Sequence, residues 1–328
     1  MKIAFAMQWV RRVAPALSVA LVFAAGTGNA LAQAASFPSK PLRFIVPVGP
    51  GSNSDVLARW MADRTAKALG TTAIVENKPG GEMLIGMAAF LQSPPDGHTI
   101  TLLSPTAMII NPITMKDMPY DVDKDVRPVS GSMRSIAAIV VGPNSKYTKL
   151  ADLIADAKAR PGAVSMAWYA QSFRLGLLEI ERDAKVKFNP IAYKAPNQVT
   201  TDIIGGSLDG TLMDFGAAMQ LAKGGKVRIL AQTGDARHPG LPDAPTATEA
   251  GVPYKLFQFS GFGVSSKTPD DIARKIEATM LGVVNSAEYR KFIEDSGAEP
   301  IALTGAQMAK TLADERAKYR EILKGVGS

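Results

Sequence analysis

The stretch "VPVGPGSNSDVLAR", Val46 to Arg59, sets glycines and small polar residues between an apolar run and a helix start. A strand, a glycine-rich turn and a helix together put bare backbone N–H groups in front of an anion. Three uses fit such a turn. The first is a nucleotide site, since Gly49-x-Gly51-x-x-Ser54 is one residue away from the dinucleotide fingerprint. Glu76 then ends the next apolar run, near where an acid would hold a ribose. Against it, Pro50 sits inside the tight turn and Ser54 takes the place of the third glycine. The second use is a grip on a carboxylate that is carried rather than converted. The third is a helix N-terminus capped by Ser54 or Asp55 with no ligand at all.

Little else in the chain is equipped for catalysis. With no cysteine there is no disulfide, thiolate nucleophile or zinc–sulfur site. The two histidines, His98 and His238, stand alone in "PDGHT" and "ARHPG" and read as surface residues. No HExxH, GxSxG or Walker A pattern occurs. No metal or organic cofactor is expected.

The chain begins with Lys2, Arg11 and Arg12, then the apolar "VAPALSVALVFAAG" and a small-x-small site at Ala30-Leu31-Ala32. "AQA", ending at Ala34, is a second candidate site. This reads as a secretory signal peptide over residues 1–32. The mature protein is then exported, to where nicotinamide cofactors are scarce. Cleavage takes the net charge from +7 to about +4 (7 − 3). The Lys and Arg residues are scattered, so no nucleic-acid partner is implied.

Hydrophobic periodicity then supplies the elements that must position the turn. Strands are expected at 41–48, 71–77 and 98–104, with helices from Ser54 to near Gly70 and over 83–93. A strand over 136–144 opens a second series, with helices at 149–162, 174–184 and 197–206. Strands at 163–168, 188–193, 208–214 and 227–233 alternate with these and with a short helix after Asp214. A strand at 257–266 and two closing helices, 269–286 and 305–327, complete the pattern. Two α/β units in series imply parallel sheets flanked by helices, with ligands at the carboxyl ends of the strands.

The motifs also run in the order of a known family. Val46-Pro47, Pro50-Gly51, Ser54-Asp55 and Ala58-Arg59 are followed by "VENKPGG" (75–81), Ile85-Gly86 and "PPDGHT" (94–99). Asn111-Pro112, "PYDVDKDVRPVS" (119–130), Tyr193-Lys194, "GLPDAPTATEAGVP" (240–253) and "KTPDDI" (267–272) follow. From about Phe37 to its end the chain resembles the periplasmic substrate-binding proteins of tripartite tricarboxylate transporters, the Bordetella uptake gene family. The resemblance implies an α/β, type II-like periplasmic binding protein with two lobes. Each lobe is a mostly parallel sheet flanked by helices, and two crossover strands, 132–142 and 257–266, join them. Lobe one would be 36–133 plus 260–328, and lobe two 134–259. It further implies a small organic carboxylate as ligand, membrane transporter subunits as partners, and a monomer. A sensor protein is the alternative partner.

On this reading Gly51, Ser52, Asn53 and Ser54 form the first grip, with Ser104 and Thr106 beside them. Ala170, Gln171, Ser172 and Arg174 answer from the other lobe, and Asp214 faces the cleft or orients a loop. The chain departs from the family in two places. Glu82, Met83 and Leu84 fill a stretch that is commonly glycine-rich. "MAWYAQSFRL" (166–175) replaces a small polar loop that ends in His-Leu. Trp168 could then wall an aromatic ligand, with Trp168 or Tyr169 stacked on it; Arg174 could hold a distal carboxylate; and Glu82 could repel a second carboxylate or accept a bond from a ligand hydroxyl, amide or amine. In the alternative, Trp168 and Phe173 are core and Arg174 pairs with a surface acid.

Overall fold

The structure, a computed structural model, describes residues 37–324 except Lys194. The segment read as a signal peptide lies outside the described residues. The chain divides into two units, Met1–Ser39 and Lys40–Ser328. Every element named below lies in the second.

Strand β1 (Leu42–Val46) is almost wholly buried. It lies between β2 (Ala73–Asn77) and β3 (Thr99–Leu103), parallel to both. The helices between them are α1 (Asn53–Ala68) and α2 (Leu84–Leu91). The α1 helix buries Leu57, Ala58, Met61, Ala62, Thr65 and Ala66, the i, i+3, i+4 stripe of a helix lying on a sheet. It ends at Leu69, where Gly70 turns into the left-handed region. After β3 comes a π-helical turn, Thr106–Ile110, then α3 (Asn111–Thr114) and α4 (Val122–Asp125).

Strand β4 (Val126–Val141) is the longest. It begins ten residues before the apolar run that announces it. "VRPVSGSMRS" has a proline, a glycine and serines that argue against a strand, and its partners override that preference. Over this part β4 is antiparallel to β9 (Phe257–Ser265) and β10 (Glu299–Thr304). Strand β9 in turn pairs antiparallel with β3. Further along, β4 pairs antiparallel with β7 (Gly210–Asp214) and β8 (Arg228–Gln232). Beyond β7 lie β5 (Ser165–Trp168) and β6 (Asn189–Ala192), with β5 parallel to both β6 and β7. A first half built on β1, β2, β3, β9 and β10 and a second half built on β5–β8 thus share β4. The outer strands of each half run parallel, and the shared strand is antiparallel to its neighbours.

Helices α5 (Leu150–Ala159), α6 (Gln171–Ala184), α7 (Pro196–Gly205) and α8 (Phe215–Lys223) belong to the second half. Helix α9 (Asp270–Val284), α10 (Ala287–Asp295) and α11 (Gly305–Lys324) follow β9. The two expected closing helices are therefore three, with β10 between the last two. A break after Val284 ends α9, and Ser286 caps α10 by accepting a bond from the Tyr289 N–H.

Candidate functional site

The opening turn is held by its own helix. Ser52 is the N-cap, in extended backbone, and its Oγ accepts from the Asp55 N–H at 3.2 Å. The same hydroxyl donates to the Gly49 carbonyl. The cap is thus two residues earlier than Ser54, and three earlier than Asp55, the two positions expected from the sequence. Gly51, at φ +80°, donates its N–H to Asp55 Oδ2 at 2.9 Å. Asp55 is buried, and it also accepts from Arg59 and from the Asn77 amide, which spans to the Val48 carbonyl. Burial works to raise its pKa, but Arg59, the Gly51 N–H and Asn77 outweigh it and hold the carboxyl below the usual range. The "VENKPGG" motif therefore clamps the opening turn through Asn77. Its Glu76 takes Arg43 on both carboxylate oxygens, at 2.8 and 3.1 Å. That acid is already committed and holds no ribose.

Beside this turn lies a cavity of about 280 Å³ between the two halves. Its walls include Asn53 and Ser54 from the first turn of α1, and Ser104 and Thr106 from the end of β3 and the π-helical turn. Ala170 and Ser172 reach it from the start of α6, and Asp214, Phe215 and Gly216 from the start of α8. Four helical segments thus aim their first turns at one space. First-turn N–H groups have no carbonyl in a preceding turn to bond, and they carry the positive end of the helix dipole. No lysine, arginine or histidine lines the cavity, and Asp214 is its one ionisable residue.

The floor comes from the shared strand and its partner. Met133 and Ser135 on β4 stand opposite Ser260 and Gln258 on β9, in register. The far rim is Phe292, Ile293, Ser296, Gly297 and Ala298, from α10 and the loop after it. The floor residues were not singled out, although strands at 132–142 and 257–266 with a period of two would have led to them. The rim had no local signal.

Seven expected residues thus meet at the cavity: Asn53, Ser54, Ser104, Thr106, Ala170, Ser172 and Asp214. The structure does not bring the other six to it. Gly51 and Ser52 are engaged within the turn. Glu82 and Gln171 are exposed, and the Glu82 carbonyl accepts from Asn111. Trp168 is half-buried at the end of β5 and lies against the core. Arg174 is half-buried one turn into α6; its Nη1 is buried without a hydrogen-bond partner, and no acid pairs with it among the described residues. His98, read as a surface residue, is buried instead. It leads into β3, with Nδ1 3.1 Å from Asp96 Oδ1.

The aromatic departure from the family has a different role from the one expected. Tyr169, not Trp168, reaches the site's edge. Its hydroxyl donates to Asp214 Oδ2 at 2.8 Å and accepts the Asp214 N–H at 3.2 Å. Burial pushes the Asp214 carboxyl above the usual range, against the lowering effect of Tyr169. The other departure is strained. Gly80, Gly81, Glu82 and Met83 all take positive φ, a region that costs a non-glycine residue about 1–2 kcal/mol. That backbone carries Met83 to the cavity wall, where its sulfur accepts from the Ser104 hydroxyl at 2.9 Å.

A wider, open depression of about 980 Å³ lies on the second half, beside β8 and α5. Its arginines are engaged: Arg228 donates to the Ser145 and Tyr147 carbonyls, and Arg237 pairs with Glu249. Among the described residues no group of three or more His, Asp or Glu could hold a metal ion, and no helix is long and apolar enough to cross a membrane.

The geometry of the turn yields a first prediction. Ser52→Ala removes the α1 cap and lowers stability by about 1 kcal/mol in a thermal melt. Carboxylate affinity in the same protein should stay within roughly threefold, about 0.6 kcal/mol. A large affinity loss with an unchanged melt would make Ser52 a ligand contact.

The model of the tripartite tricarboxylate transporter family receptor matches residues 57–328. A UPF0065 protein of Bordetella bronchiseptica is 32% identical over 89% of this chain and 88% of its own length. Protein BugT of Bordetella pertussis is 30% identical over 95% of this chain and 97% of its own. A protein of R. palustris solved with adipate superposes with a TM-score of 0.79 at 26% identity, covering 89% of this chain and 98% of that one. With the fold, the family model and two relatives of nearly full length in agreement, the chain belongs to the tripartite tricarboxylate transporter receptor family.

Proposed function

We propose that this protein is a periplasmic solute-binding receptor, a carrier and not an enzyme. It captures a small organic carboxylate in the cavity between the two halves and delivers it to the membrane subunits of a tripartite tricarboxylate-type transporter. The halves act as lobes that close on the ligand, 36–133 plus 260–328 against 134–259. The observation that carries this reading is the convergence of four helical first turns on one cavity without a basic side chain. Such a cavity holds a carboxylate through N–H groups and dipoles, and exclusion of water strengthens both. Family membership supports the same reading, as does the R. palustris relative solved with adipate. At about 280 Å³ the space is at the small end of ligand sites, which suits a compact acid. Phe215 and Phe292 flank it, so aromatic acids belong among the probes.

The test is thermal melting of the mature protein with and without aliphatic and aromatic carboxylates. Ligand at a hundred times its Kd adds about 2.7 kcal/mol, a rise of several degrees. Trp60 gives a second signal. Its ring stacks on Phe292 at 5.1 Å and 9°, one layer behind the cavity wall. A saturable fluorescence change that survives in Trp168→Phe and vanishes in Trp60→Phe places the ligand beside Phe292. If no carboxylate moves the melt, the reading is wrong.

A further inference from the structure

Asp214 raises a problem for a cavity that takes anions. It is the one ionisable side chain on the wall, and no cation faces it there. Tyr169 is fixed to serve it as a carboxylate. The phenol oxygen accepts the Asp214 N–H, and its single proton is directed at Oδ2. Among the described residues Tyr169 is the one side chain that donates to this carboxylate. The residue also stands at the N-cap position of α8, where the helix dipole favours negative charge, although its side chain makes no capping bond. The second acceptor oxygen is left without a side-chain donor. On the cavity floor the opposite deficit occurs: Gln258 Nε2 is buried and has no acceptor. A buried donor left unmade costs about 1–3 kcal/mol, so Gln258 favours a ligand that brings it an acceptor, and the half-buried Asp214 carboxylate on the same wall has room for a ligand donor.

We propose that Asp214 selects, among small carboxylates, those that also carry a hydroxyl or ammonium group. The inference rests on the carboxylate-receptor reading above and names the ligand class within it. The carboxylate of such a ligand takes the first-turn N–H groups and the Gln258 amide. Its hydroxyl or ammonium donates to Asp214. An unsubstituted acid brings a second anion to the same small space and leaves Asp214 uncompensated. A site that hydrogen-bonds a substrate group discriminates strongly against the analogue lacking it.

Matched acids test this directly, because each set differs at one carbon. The sets are succinate, malate and aspartate; propionate, lactate and alanine; glutarate, 2-hydroxyglutarate and glutamate. Titration calorimetry of the wild type should show a substituted acid binding at least roughly tenfold tighter than its unsubstituted counterpart. Malate against aspartate, and the matching pair in each other set, tells whether the donor is hydroxyl or ammonium. Asp214→Asn should reduce the preference to within about threefold, and Tyr169→Phe should weaken it in the same direction. The inference is overturned if an unsubstituted acid binds as tightly as its partners, or if the preference survives in a folded Asp214→Asn protein. Should that variant not fold, the wild-type comparison alone decides. If none of these acids and no other carboxylate binds, the receptor reading itself fails.

Discussion

Gly216→Ala is expected to weaken carboxylate capture by roughly ten- to hundredfold while leaving the ligand-free protein as stable as before, or more so. Gly216 lies in the first turn of α8, in the second half, and its φ is not in the left-handed region. Alanine there is the better helix former, by up to about 1 kcal/mol. A Cβ at this position, however, would stand 2.4 Å from the Ser296 carbonyl oxygen, across the cavity rim in the first half. The partner is also a glycine: a Cβ on Gly297 would meet the Gly216 Cα at 2.8 Å. The two halves therefore touch backbone to backbone, at a place where both line the cavity. If closure makes this contact, alanine opposes only the closed form. Overpacking of this kind costs about 1–3 kcal/mol, and affinity falls by the same factor as the closed population. Titration measures the affinity and a melt measures the stability. Unchanged affinity with a lowered melt would mean that the contact is permanent and the halves do not open there.

The second large effect is structural. Arg316 on α11 is buried; it donates from Nη1 to the Met108 carbonyl at 2.9 Å and from Nη2 to Asp123. Met108 belongs to the π-helical turn whose first residue, Thr106, lines the cavity. Such turns leave carbonyls outside the regular helical pattern, and this one is tied down by a side chain distant in sequence. Arg316→Ala leaves the Met108 oxygen unpaired and a void where the guanidinium lay. Asp123 is largely exposed and can be hydrated, which puts the loss at the low end for a broken buried pair, about 3 kcal/mol. The melting temperature should fall by about 6 °C, and Arg316→Lys should recover part of it. A melt unchanged in Arg316→Ala would show that the π-helical turn does not depend on α11.

The two halves were unequally legible in the sequence. The β1–α1–β2–α2–β3 alternation carries its periods and turn residues openly. The first ten residues of β4 carry neither, because pairing with β9 and β10 makes them a strand. The short α10 had a local sign, Ser286 before "AEYRKFIED", but nine residues of helix after a longer one read as its continuation. The site follows the same division. Asn53, Ser54, Ser104, Thr106, Ala170, Ser172 and Asp214 stand at strand tips and helix starts, where topology alone places a ligand. Gly51 and Ser52 look identical to such residues in sequence. Which N–H faces outward and which bonds Asp55 is settled by the Asn77 clamp, contributed by another strand. Phe292 to Ala298 come to the rim from far along the chain, and nothing local foretells it. Trp168 and Tyr169 both lean on the core, and it is Asp214, at the end of a neighbouring strand, that draws the Tyr169 hydroxyl to the cavity edge.

Every role proposed for this protein depends on a carboxylate entering the cavity between the halves. Titration calorimetry of the mature protein with dicarboxylates, hydroxy acids and amino acids, each beside its amide, tests it most directly. Saturable binding of one acid per protein chain is expected, lost when the carboxylate is replaced by an amide. Binding of the amides alone, or of nothing in the panel, would contradict it.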